Sequence, residues 1–144
     1  MPVSNDSITI GITAFNAEET IAVALLSALA QDVPVEQIIV VDDVSSDRTL
    51  EIVESFQTNH PHIEIVKHDA NAGVAAARNS IIERTKGTFL AFFDDDDTSD
   101  PKRVAMQRER ILDYERKFAN GAAVICHTAR KQIYPDGTIR IEPA

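Results

Sequence analysis

The chain is short of positive charge, of cysteine and of long apolar runs. Lys and Arg number 14 against 23 Asp and Glu, a formal net charge of -9. Affinity for a long polyanion rests on phosphate neutralisation by Lys and Arg, so no nucleic-acid partner is expected. A small phosphorylated ligand stays open, because a metal ion can meet its charge. The single cysteine, Cys126, excludes an intrachain disulfide and fits a reducing compartment. No apolar stretch approaches the ~20 residues of a membrane span. Met1 to Asp6 hold neither the basic segment nor the apolar core of a secretory signal, so a cytoplasmic location is expected. Internal repeats and low-complexity segments are absent as well. With 144 residues, 44% of them hydrophobic, the chain is expected to form one domain around a real core.

Against this background one feature stands out. Thr88 to Phe93 is an apolar run, and four carboxylates come directly after it, Asp94, Asp95, Asp96 and Asp97. Adjacent negative charges raise one another's pKa and repel, so the cluster is costly without a cation. A hard divalent ion such as Mg2+, Mn2+ or Ca2+ is its natural partner. A solvated acidic loop after a strand would carry the same residues. The apolar run, however, would fix them at the carboxyl edge of a sheet, where open α/β sheets bind ligands.

The remaining pattern alternates strands and helices. Ser7 to Thr13 reads as a first strand, with Asn16 as a cap for a helix whose face is Ile21, Ala24, Leu25, Ala28 and Leu29. Gln37 to Val41 is apolar on both faces, as a strand covered by helices requires. Ser46 or Asp47 caps the next helix. Ile63 to Val66 is a third strand and Val74 to about Thr85 a third helix. Pro101 suits the first turn of a long helix, with Val104, Ile111, Leu112 and Phe118 inward. Ala122 to Cys126 reads as a further strand. Lys131 to Tyr134 and Thr138 to Ile141 form a hairpin about Asp136-Gly137. The order implies an α/β fold: a doubly wound, mainly parallel Rossmann-like sheet with a C-terminal antiparallel hairpin.

A second acidic group lies where the second strand becomes a helix: Asp42, Asp43, Val44, Ser45, Ser46, Asp47. Capping accounts for Ser46 and Asp47 but not for Asp42 and Asp43 together. The remaining histidines, His60, His62 and His68, lack metal-ligand spacing to the aspartates and read as surface residues. His127 reads as structural and Cys126 as core.

The order of motifs resembles the nucleotide-binding half of the family 2 glycosyltransferases with the GT-A fold. The matching pieces are Ile12 to Glu18, Ile39 to Asp47, Asn71 to Asn79, and Gly87 to Asp97 with Asp100-Pro101 beyond it. The resemblance implies a role for each matching residue. Thr13, Ala14 and Phe15 would lie beside the nucleotide base. Asp43 matches the acid that recognises uracil in members using UDP-sugars, and Arg78 a basic residue that contacts the nucleotide. Asp94 and Asp96 match the DXD motif. Asp96 is then the direct metal ligand with Asp94 assisting, and Asp94 and Asp95 face the ribose and the metal's waters. The implied cofactor is Mn2+ or Mg2+. The implied donor is a nucleotide-diphospho-sugar, UDP-linked by preference, and the acceptor a glycan, lipid or protein. Asn71 to Gly73 open a helix whose free N–H groups would face an anion. Two departures from the family pattern are Thr13, where many members have Pro, and Val44, where many have Gly.

Three other readings compete. A signalling receiver domain would open on an acidic pair such as Asp42-Asp43, but here a full βα unit precedes the pair. A nucleotidyltransferase would need a glycine-rich, lysine-bearing loop after the first strand, which is absent. A binding module without chemistry stays open, because no residue matches the family's catalytic base. That base is expected beyond Ala144, in a longer enzyme of which residues 1–144 are the nucleotide-diphospho-sugar-binding domain. That enzyme would act by inversion at the cytoplasmic membrane face in polysaccharide, lipopolysaccharide or related glycan synthesis. Apolar surface near the hairpin is expected to permit self-association.

Overall fold

The computed structural model describes residues 6–144, so most of the stretch read as lacking a signal, residues 1–5, lies outside the described residues. The chain divides into two units, one ending at Pro101 and one from Lys102 onward.

The first unit is built on four parallel strands: β1 (Ile8–Ala14), β2 (Gln37–Asp42), β3 (Ile63–Lys67) and β4 (Phe89–Asp94). They lie in the order β3-β2-β1-β4. Three helices connect them: α1 (Ile21–Leu29), α2 (Thr49–Asn59) and α3 (Gly73–Arg84). Alternation along the strands sorts the two faces. On one face Gly11, Ile39, Val41, Val66, Leu90 and Phe92 meet Ala77 and Ile81 of α3. The other carries Ile8, Ile10, Ile12, Ile38, Val40, Ile63 and Phe93, buried beneath the helices of the first two crossovers. From α1 come Ile21, Ala24, Leu25 and Ala28, and from α2 Val53, all buried. Each large aliphatic side chain so covered contributes about 1.5–3 kcal/mol. This is the doubly wound parallel sheet that the alternation implied. Strand β4 is half-buried from Phe89 to Phe92, with Phe93 buried and Asp94 exposed, because it has a neighbour on one side only among the described residues.

Local signals held in part. The N-cap of α2 is Arg48 rather than Ser46 or Asp47, but Asp47, one residue earlier, still accepts the Thr49 N–H on its Oδ1 at 2.9 Å. Its Oδ2 accepts the Glu18 N–H at 3.1 Å, and Glu18 returns a carboxylate oxygen to the Arg48 N–H at 3.0 Å. Asn16 does not cap α1. Its backbone is left-handed (φ 48) and its Oδ1 accepts the Ser46 N–H at 2.8 Å, joining the loops after β1 and β2.

The second unit holds α4 (Arg103–Tyr114), which runs into a single π turn, Glu115–Ala119. Asn120 and Gly121, both at positive φ, stop it. The expected hairpin is present, with β5 (Arg130–Ile133) antiparallel to β6 (Ile139–Glu142). The strand expected over 122–126 is not formed: Ile125 is 82% exposed and Cys126 only half-buried. These residues have the apolarity of a strand but no neighbouring strand to pair with. Phe118, expected inward, is exposed, and of that helix face only Val104 is buried. Among the described residues no helix is long and apolar enough to cross a membrane.

Candidate functional site

The parallel register places three strand ends in one row. Thr13 pairs with Asp94 and Ala14 with Asp42, so the loops beyond them open at the same carboxyl edge. Between them lies a cavity of about 350 Å³. Its wall is Thr13, Ala14 and Phe15 from the end of β1, Asp43 after β2, and Asn71, Gly73, Val74 and Ala77 around the start of α3. Asp94, Asp95 and Asp96 from the end of β4 complete it. A smaller recess of about 260 Å³ sits at the opposite edge, among Thr9, Gln37, Glu64 and Gly87. There the polar groups satisfy one another, Thr9 with Gln37 and Gln37 with Glu64.

Asp43 closes one end of the larger cavity and is 4% exposed. Its Oδ1 accepts the Ala72 N–H at 2.9 Å and lies 2.7 Å from His68 Nδ1, while its Oδ2 accepts the Gly73 N–H at 2.7 Å. Burial pushes the Asp43 carboxyl up, but the N–H groups of Ala72 and Gly73 and the His68 ring hold it below the ordinary carboxylate value. The first N–H groups of α3 therefore already face an anion, and it is the protein's own. That corrects the expectation that they stand free. Asn71 Nδ2 donates to the Asp43 carbonyl at 3.1 Å, fixing the same turn from the other side. Gly73 sits at φ 84, which a glycine takes without strain. Val44, next to Asp43, takes φ 66, the conformation for which a glycine would be the ordinary choice.

The acidic cluster closes the other end. Asp94 lies 3.3 Å from the Arg78 guanidinium, which also stands 5.6 Å from the Phe92 ring centroid. Asp95 Oδ2 accepts the Phe15 N–H at 3.0 Å. Burial pushes the Asp95 carboxyl up, and the charges of Asp96 and Asp94 push it further, against the Phe15 hydrogen bond. Asp96 lines the cavity beside them. Among the described residues no three His, Cys, Asp or Glu side chains converge to hold a metal ion by themselves. The donor set instead fits an ion that takes one or two carboxylates from protein and the rest from phosphate oxygens and water, as Mg2+ does.

Six of the seven residues expected to bind nucleotide, Thr13, Ala14, Phe15, Asp43, Asp94 and Asp95, line this one cavity, as do both expected metal ligands, Asp94 and Asp96. Arg78 joins them through Asp94. Sequence reasoning missed His68, which reads as a surface residue but whose side chain is 14% exposed and bonded at both ring nitrogens. Its signal, a polar residue directly after a strand at the same edge as Asp43, is visible once the strands are aligned.

The chain is similar to known glycosyltransferases. Over 105 residues the chain is 32% identical to a putative teichuronic acid biosynthesis glycosyltransferase, TuaG, of Bacillus subtilis, covering 73% of this chain and 42% of that one. Over 103 residues it is 36% identical to the succinoglycan biosynthesis protein ExoO of Rhizobium meliloti, covering 72% of this chain and 29% of that one. The chain thus spans less than half the length of these curated relatives. The structure of S. aureus TarS 1-349 in complex with UDP superposes with a TM-score of 0.67 at 25% identity, over 92% of this chain and 43% of that one. The same protein in complex with UDP-GlcNAc gives 0.67 at 28% identity, over 85% and 39%. These neighbours share the GT-A architecture. The glycosyl transferase family 2 model matches residues 9–142, nearly the whole chain, and the chain belongs to that family.

Proposed function

We propose that residues 1–144 are the donor-binding domain of an inverting glycosyltransferase, which binds a nucleotide-diphospho-sugar, UDP-linked by preference, with a divalent ion at Asp96 and Asp94. The observation that carries this is the single cavity with a buried carboxylate at one end and an acidic cluster with Arg78 at the other. In this reading Asp43 accepts an N–H of the base, Thr13 to Phe15 flank the base, and Arg78 meets the diphosphate. An ion such as Mn2+ or Mg2+, when bound, supplies Lewis-acid stabilisation of the diphosphate leaving group. The UDP-bound and UDP-GlcNAc-bound states of TarS support uridine as the base.

In this reading the carboxylates lining the cavity serve the donor, and deprotonation of the acceptor hydroxyl is assigned to a residue outside this stretch. These residues alone then form a donor-binding unit without transfer activity of its own. The acceptor is a glycan, lipid or protein hydroxyl in polysaccharide synthesis, reached at the cytoplasmic membrane face. Exposed Ile125, Ile133, Ile139 and Ile141 of the second unit supply the surface for self-association.

The test is calorimetric: UDP binding with and without Mn2+, for the wild type and for Asp96→Ala. Binding that strengthens with Mn2+ in the wild type and loses that dependence in the variant is expected. Equal affinity in all four titrations would sink the reading.

A further inference from the structure

We propose that His68 is a positioning residue for the nucleobase: it occupies one oxygen of Asp43 so that the carboxylate presents a single acceptor to the cavity. The inference rests on the nucleotide reading above. It starts from the backbone. The His68 N–H donates to the Asp42 carbonyl at 3.0 Å, extending the β2–β3 ladder by one step and seating the ring beside Asp43. Nδ1 then lies 2.7 Å from Asp43 Oδ1, and Nε2 lies 2.9 Å from Ser80 Oγ on α3. The two side chains are 14% and 6% exposed, so water does not compete freely for either bond. Asp43, ionised, only accepts, which puts a proton on Nδ1. Ser80 donates to Nε2 when the ring is neutral and accepts from it when the ring is charged, so the ring is held in either state.

Counting acceptor sites gives the consequence. A carboxylate offers about four lone-pair positions. On Asp43, Oδ1 serves His68 and Ala72, and Oδ2 serves Gly73. One position on Oδ2 is left. A pyrimidine imide offers one N–H and is satisfied by it. The guanine edge offers two parallel N–H groups and needs both oxygens. Adenine sets a bare ring nitrogen beside its amino N–H, so that its one donor comes with a lone pair facing the carboxylate. Selection for uracil therefore depends on the bond that keeps Oδ1 filled, and that bond is made by His68. A histidine that merely fills space beside the sheet would leave the ratio between bases unchanged when replaced.

The experiment measures UDP and GDP binding with Mn2+ by calorimetry for the wild type, His68→Leu, His68→Asn and Ser80→Ala, together with a long-range 15N–1H spectrum of the wild-type histidines. His68→Asn keeps an amide donor near the place of Nδ1 and loses the Ser80 bond. The spectrum should show Nδ1 of His68 protonated. His68→Leu should narrow the UDP-to-GDP ratio about tenfold, as the freed Oδ1 position takes the second guanine N–H in one hydrogen bond to a charged group. His68→Asn should keep most of that ratio, and Ser80→Ala should lower it less than His68→Leu does. If His68→Leu does not fold, His68→Asn and the spectrum decide. An unprotonated Nδ1, or an unchanged ratio in folded His68→Leu, overturns this inference alone. A wild type that binds no nucleotide overturns the functional reading and this inference with it.

Discussion

Gly11 and Ile81 interlock across the sheet–helix interface: a Cβ added to Gly11 would overlap Ile81 Cγ2 and lie 3.0 Å from its Cδ1. Ile81 is fully buried on α3, so its branched side chain has nowhere to retreat. The absent side chain in the middle of β1 lets α3 sit close to the strand and brings its first turn against the cavity. Gly11→Ala should destabilise the fold by about 1–3 kcal/mol, the range for overpacking a close-packed interior. Urea unfolding of Gly11→Ala, Ile81→Ala and the double variant measures it. The double variant should recover part of the loss, and purely additive effects would show that the two residues do not meet.

Asp95 should be a carboxylate the fold tolerates rather than uses. Its pKa is raised, so the folded state holds its proton more tightly than the unfolded chain does. The associated penalty is absent below the ordinary carboxylate range near pH 4 and grows as pH rises through the folded value. Asp95→Asn, whose side-chain oxygen can still accept the Phe15 N–H, should therefore melt higher than wild type at pH 7. The difference should shrink toward zero as the pH falls to 4. A lower melting temperature at pH 7 would contradict this.

Arg78 is expected to act on phosphate rather than on base. Its guanidinium stands over Phe92 and beside Asp94, a placement that suits a planar cation. Arg78→Met should weaken UDP roughly tenfold, as loss of one charge-assisted contact implies, and leave uridine unchanged. Arg78→Lys should restore only part, because an ammonium cannot stack as the guanidinium does. Equal losses for UDP and uridine would place the residue elsewhere.

Val44 holds a strained backbone. A β-branched residue at φ 66 costs about 1–3 kcal/mol. Val44→Gly relieves that and adds unfolded-state entropy of about 0.5–1 kcal/mol. The net expectation is a stabilisation of about 1 kcal/mol, read as a higher urea midpoint at unchanged slope. A lower midpoint would mean that the exposed valyl side chain makes contacts worth more than the strain.

Much of this was legible in the sequence because the signals were local. Val40 and Val41 run apolar into Asp42, Phe92 and Phe93 run apolar into Asp94, and parallel pairing then aligns both acidic ends. The Asp136-Gly137 turn fixed the hairpin in the same way. What escaped depends on partners far along the chain. His68 stands 25 residues from Asp43 and 12 from Ser80, and no spacing rule links them. Asn16 had the side chain of a helix cap, but the Ser46 N–H, 30 residues away, claimed it. Over 122–126 the apolar pattern was present without a strand beside it, and pattern alone does not form a ladder.

The way Asp43 grips the first N–H groups of α3 has a metric consequence. The helix starts against Asp43 at Gly73 and presents Arg78 five positions on, next to Asp94. A helix rises about 1.5 Å per residue and turns about 100° with each, so roughly 7.5 Å of helix rise separates Gly73 from Arg78. α3 thus works as a ruler between Asp43 and Arg78: their spacing is written into one helix rather than into a loop. One residue inserted between Gly73 and Arg78 would swing the guanidinium about a quarter turn away from Asp94. The loops after β1 and β4, by contrast, can vary in length without changing that distance.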